Sequence, residues 1–167
     1  MILKPLDIVA IDSLWYMPHH WLIRQRGAGD KAVHNCVILN EAGDLENIDF
    51  IHGPHLGDNI DKYKGRNISI HRRKEELSPL QVAQIFTWMA DTRAKNKGYD
   101  FGQIKASLFG IASDEYINDW SRWDCSERSY FAWAANGIMP ADCDEVLPHP
   151  RWVRHSDDFE TVFKGVL

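Results

Sequence analysis

The chain is short of cysteine, of basic charge and of long apolar runs, and each shortage removes a class of function. Its three cysteines, Cys36, Cys125 and Cys143, are odd in number and have no CxxC spacing. Neither a disulfide framework nor a thiolate zinc site follows from that pattern, and a reducing compartment is expected. Lys and Arg number 19 against 24 Asp and Glu, a formal charge of -5. Binding a polyanion draws on a concentrated basic surface that releases counterions, so no nucleic acid partner is expected. No apolar stretch approaches the length of a transmembrane segment, and Met1 to Asp7 lacks the basic and apolar parts of a signal peptide. A cytoplasmic or phage-particle-associated protein is the expectation.

What is present suits one compact domain over residues 1–167, with 44% hydrophobic residues and seven tryptophans. Asp7 to Ile11 reads as a buried strand, and the aromatic stretch between Asp12 and Asp30 as a short helix before a Gly-rich turn. Ala32 to Leu39 and Leu45 to Phe50, separated by Asn40-Glu41-Ala42-Gly43-Asp44, read as a β-hairpin. Gly53 to Gly65 is polar and turn-rich and reads as a loop. Asn67 to Arg72 alternates like a half-buried strand.

Ser78-Pro79-Leu80-Gln81 carries an N-cap, a proline at the first helical position and a capping-box glutamine. The helix it opens presents Leu80, Ala83, Ile85, Phe86, Met89 and Ala90 as its apolar face, and Gly98 marks its end. A second helix is expected from Tyr99 through Phe109 and a third from Cys125 to Ala135, stopped by Asn136-Gly137. A last short element lies near Phe159 to Phe163.

Cysteine chemistry needs a thiolate, which a helix N-terminus and a nearby imidazolium favour. Cys125 opens a helix whose free N–H groups would also hold a tetrahedral oxyanion. Cys36, inside an apolar strand, and Cys143, among acidic residues, suit nucleophilic work less well. Among eight histidines, His34 begins an apolar strand, where a polar group needs a reason. Glu46 on the paired strand would orient its ring, with Asp44 or Asp49 as alternatives if the register shifts. A metal reading built on His19-His20, His52 and His55 with Asp58 or Asp61 is weaker, because Gly53-Pro54 makes a turn rather than a shared helical face. The charged runs Glu41 to Asp49 and Arg72 to Glu76 read as solvated surface.

The order of these motifs resembles the permuted branch of the NlpC-type papain-like superfamily, which includes YiiX-like proteins and is related to lecithin:retinol acyltransferase. The resemblance rests on the Asp7-Ile8-Val9 strand, His34 beginning the next, an acidic residue on the strand after it, Gly98-Tyr99-Asp100, and Cys125-Ser126-Glu127 at a helix start. In the ordinary order the cysteine helix precedes the histidine strand, whereas here His34 comes first. The sequence departs from the family pattern at Asn35-Cys36 and at Arg128-Ser129.

The resemblance implies an α+β, permuted papain-like fold, a small antiparallel sheet packed against helices. It implies a cysteine peptidase or amidase with Cys125 as nucleophile, His34 as base, Glu46 as the orienting acid and Tyr99 as an active-site neighbour, with no metal or cofactor. The substrate would be a small peptide, a peptidoglycan fragment or an acyl ester. A non-catalytic binding or structural member, serving in a phage or other assembly, is the alternative.

Overall fold

The computed structural model describes residues 2–14, 30–49, 51–100, 122–138 and 149–167. The expected helix between Asp12 and Asp30, the expected helix after Tyr99, His19-His20 and the Cys143 loop fall wholly or largely outside them. The described strands are β1 (Ile8–Asp12), β2 (Ala32–Ile38), β3 (Asp44–Asp49), β4 (Gly53–Asn59), β5 (Asn67–Arg73) and β6 (Phe159–Val166). They form one six-stranded antiparallel sheet in the order β4-β3-β2-β1-β5-β6. The helices are α1 (Pro79–Ala94), α2 (Cys125–Ala134) and the single-turn α3 (Trp152–His155). The fold is α+β, as expected.

The sheet is buried on both faces, which explains why β1 is a continuous apolar run. Its Ile8 and Ala10 pack with Ile85, Met89, Trp133 and Trp152 on the helix face. Val9 and Ile11 point the other way, joining Cys36, Ile38, Tyr63, Ile68 and Ile70. The turn after β2 closes with Leu39 N–H donating to the Asp44 carbonyl at 2.7 Å, and Gly43 there has φ 85°. A Cβ at Gly43 would lie 2.7 Å from the Ile60 side chain, so glycine is required both by conformation and by space.

Three expectations change. The Gly53 to Gly65 segment is not loop throughout: Gly53–Asn59 pairs with β3 and Ile60–Tyr63 forms a 3-10 turn. Its strand is at the sheet edge, where Pro54 is tolerated because no further strand needs its missing N–H. On α1 the capping box forms as expected, but Ile85 and Met89 are its buried residues and Leu80 is 68% exposed, being in the first turn before the helix meets the sheet. Arg72 is not solvated surface either, since its guanidinium pairs with the buried Asp7 carboxylate at 2.7 Å.

His71 on β5 is 3% exposed, with Nε2 2.8 Å from Ser69 Oγ and Nδ1 facing Thr161 Oγ1 at 3.4 Å. Burial, and then the charges of Arg154 and Lys164, push it from 6.5 to about 4, against a weaker pull from Asp30. The folded state therefore binds fewer protons than the unfolded one between those values, so stability falls as pH drops through this window. At 1.36 kcal/mol per unit, the loss is about 3 kcal/mol. Urea denaturation at pH 7 and pH 4.5 is expected to show most of that loss, and His71→Gln is expected to remove most of its slope.

Candidate active site

The β2–β3 ladder holds only at Val37↔Glu46 and Ile38↔Leu45. Residues directly opposite in a ladder share a face, and successive residues alternate. Val37 and Glu46 therefore face the helices, while His34, three residues from Val37, and Asn47, one from Glu46, face the other way. The contacts agree. Asn35 Nδ2 donates to Ser129 Oγ of α2, whereas the rings of His34 and Tyr63 lie 6.5 Å apart on the opposite face.

The partner of His34 is consequently Asn47, not Glu46. His34 Nε2 lies 2.6 Å from Asn47 Oδ1. Asn47 is 2% exposed, and its own orientation is fixed because Nδ2 donates to Asp58 Oδ2 at 2.6 Å and to the Tyr63 hydroxyl at 3.2 Å. A carboxylate only accepts, so the amide nitrogen faces Asp58 and the amide oxygen faces His34. The oxygen also accepts from Ile48 N–H at 2.9 Å. His34 Nε2 must then carry the hydrogen, and in the neutral ring Nδ1 keeps a lone pair. Among the described residues Nδ1 makes no hydrogen bond. The alternatives Asp44 and Asp49 are also spoken for, by Asn40 and Asn59 and by His52.

Glu46 does different work. Its carboxylate, 3% exposed, accepts from Arg128 Nε at 2.7 Å and from Arg128 Nη2, and from Arg93 Nη1 at 2.7 Å. Arg128 also donates to Thr92 Oγ1 and the Met89 carbonyl and stacks near Trp88 and Trp123. The pair bolts α2 and α1 to the sheet. Arg128, which departs from the family pattern in the sequence, is what claims Glu46.

Cys125 is the first residue of α2, behind the N-cap Asp124, whose Oδ1 accepts from Glu127 N–H at 2.7 Å and Ser126 Oγ at 2.8 Å. The backbone N–H groups of Asn35, Ser126 and Cys125 itself are directed at the sulfur, and the Tyr99 hydroxyl hydrogen-bonds it. Tyr99 packs in the same cluster as Cys125. Burial holds its phenol well above the usual range, with the Cys125 and Asp124 charges adding to the effect, so it donates rather than ionises. No hydrogen bond joins His34 to Cys125 among the described residues. They approach the parted strands from opposite sides, with the Asn35 N–H, one peptide from His34, meeting the sulfur.

The helix start does not by itself activate the thiol. Burial, and then the Asp124 carboxylate, push Cys125 up from 9.0 to about 12, against the lowering effect of the three N–H groups. The residue is 5% exposed, and the cavity beside it measures about 10 Å³. A free cysteine is commonly a small buried residue, and Cys125 is buried here.

A second cluster lies on the His34 face. Asp49, His52 and His55 converge at the β3–β4 turn, with the two rings 5.5 Å apart, so Gly53-Pro54 brings these residues together rather than separating them. Asp61 is not part of it and pairs with Lys64 at 2.8 Å. Partial burial works against the Asp49 charge, but hydrogen bonds from His52 and Ile51 and the nearby His55 pull its carboxyl down to about 2.

No family model and no curated protein matches the chain. Among solved structures, one described as the metalloprotein YiiX from Escherichia coli O157:H7, DUF1105, aligns over 100% of both chains with a TM-score of 0.70 at 11% identity. The likeness establishes a YiiX-like fold.

Two variants test the division of labour between the faces. Removing one partner of a buried ion pair costs about 3–5 kcal/mol, and Arg128→Ala is expected to lose that much in urea denaturation. Asp124→Asn keeps an equally good N-cap but removes the charge beside the sulfur. It is expected to lower the Cys125 pKa by roughly one unit, read as faster iodoacetamide alkylation at pH 8.

Proposed function

We propose that the chain is a cysteine hydrolase acting by acyl-enzyme chemistry on an amide or an acyl ester, with Cys125 as nucleophile, His34 as base and Asn47 as the residue that orients it. The observation that carries this reading is the 2.6 Å contact of His34 Nε2 with Asn47 Oδ1. Cysteine, histidine and asparagine are the combination used in papain-like sites. The contact leaves the basic Nδ1 available on the residue next to the Asn35 N–H that meets the sulfur.

A thiol held protonated needs its base at the moment of attack. His34 Nδ1 takes the thiol proton as the sulfur bonds to the carbonyl carbon. The oxyanion is held by backbone N–H groups at the start of α2. The intermediate collapses with cleavage of the bond to the amine or alcohol, which leaves with the proton from His34. Water, deprotonated by the same ring, then attacks the thioester, releasing the acid and restoring the thiol. A small peptide, a peptidoglycan fragment or an acyl ester suits this sequence of steps.

The second reading is a non-catalytic member of the same fold that binds a ligand or an assembly partner. It is favoured by the buried thiol at about 12 and by the lack of a hydrogen bond between His34 and Cys125.

Incubation with p-nitrophenyl acyl esters and peptide amides, followed by intact-mass analysis, separates the two. An acyl adduct on Cys125 is expected. It should be absent in Cys125→Ala and to form about 10²–10⁴-fold more slowly in His34→Ala, with Asn47→Ala also slowed. No adduct with any substrate, or one whose rate ignores His34→Ala, sinks the hydrolase reading.

A further inference from the structure

The cluster at the β3–β4 turn has the composition and spacing of a cation site. Its three ligand atoms, one each from Asp49, His52 and His55, all lie within 4.8 Å of one another. His52 Nδ1 is 3.1 Å and His55 Nε2 3.8 Å from the same oxygen, Asp49 Oδ2. Ligand atoms on a tetrahedral zinc ion, with bonds of about 2.0–2.1 Å, sit roughly 3.3 Å apart. The observed spacings bracket that value.

The hydrogen bonding of His55 is compatible with a metal ion. Its Nδ1 lies 2.9 Å from the Gly53 carbonyl oxygen, which only accepts, so Nδ1 carries the hydrogen. The neutral ring then presents the lone pair of Nε2, and that lone pair faces two carboxylate oxygens, Asp58 Oδ2 at 3.1 Å and Asp49 Oδ2 at 3.8 Å. Acceptors facing one another call for a cation between them: a proton on Nε2 that donates to Asp58 when no metal is bound, or a metal ion that displaces that proton. A histidine anchored through one nitrogen to a backbone carbonyl while the other binds metal is the usual supporting arrangement. Asp58 already has a cation, Lys62 at 2.7 Å. Among the described residues no Lys or Arg pairs with Asp49.

We infer that Asp49, His52 and His55 form a binding site for a divalent first-row transition cation, with zinc as the fitting ion. Two imidazole nitrogens and one carboxylate favour such ions over magnesium or calcium, which take oxygen ligands. The side chain of His52 is 63% exposed, so the ion reaches the site from solvent and keeps a position for water. Its ligands come from the end of β3, the turn and β4, so binding clamps the hairpin. This inference does not rest on the chemistry of Cys125.

The test is a calorimetric titration of chelator-treated protein with Zn²⁺, supported by Co²⁺ absorption spectra and thermal unfolding. One equivalent is expected to bind with micromolar or tighter affinity and to raise the Tm, with Co²⁺ giving the d–d bands of a low-coordinate site and Mg²⁺ failing to compete. His55→Ala and Asp49→Asn should abolish binding. Should either fail to fold, the exposed His52→Ala should weaken it at least tenfold, whereas Cys125→Ser should leave it unchanged. Absence of saturable uptake, or uptake that persists in all three cluster variants, overturns the inference.

Discussion

The candidate site depends on one buried amide. Asn47 sits between a carboxylate that can only accept and an imidazole whose tautomer is thereby decided. Because Asp58 takes the amide nitrogen, the amide oxygen faces His34, and His34 must offer Nε2–H to it. In the neutral ring the free lone pair is therefore on Nδ1. Partial burial opposes ionisation of Asp58, but Lys62, Asn47 and His55 pull its carboxyl down to about 2, so this orientation persists across the ordinary pH range. Asn47 and Tyr63 also share a hydrogen bond at 3.2 Å, which ties the amide to the 3-10 turn beneath it.

Neighbouring residues on β3 serve opposite faces with different physics. Glu46 and its two arginines are a buried charge network whose desolvation cost is offset by several hydrogen bonds and by the rings of Trp88 and Trp123. Asn47 is neutral and sets direction rather than supplying charge. The sheet keeps these two functions apart, and it parts near Asn35, where the cysteine helix meets it. That arrangement leaves the Cys125 thiol buried and quiet. A thiol held near 12 resists adventitious chemistry.

Much of the frame was legible in the residues. The strands β1, β2, β3 and β5 follow from apolar patterning, and α1 and α2 from their caps and stop signals. Strand β4 was hidden because Gly53, Pro54 and Gly57 speak for turns, and only pairing with β3 overrides them. At the site, the sequence singled out Cys125 by its place at a helix start and His34 by its place on an apolar strand, and the resemblance added Tyr99. Glu46 was preferred because it lies on the paired strand, where a carboxylate on the same face would reach the ring, and an error of one residue in a strand exchanges faces. Arg128 was the available warning, since an arginine within the cysteine helix needs a buried anion and Glu46 lies opposite. The spacing of His52 and His55 is ligand-like in the sequence, but that Asp49 rather than Asp61 joins them depends on the path of the turn.

The central claim is that Asn47 fixes His34 as the Nε2–H tautomer with a basic Nδ1. Long-range ¹H–¹⁵N correlation spectra of the histidine side chains test it directly. The account predicts the Nε2–H pattern for neutral His34, lost or mixed in Asn47→Ala and retained in a folded Glu46→Gln. An Nδ1–H tautomer in the unsubstituted protein, or a His34 signal that follows Glu46 and ignores Asn47, would contradict it.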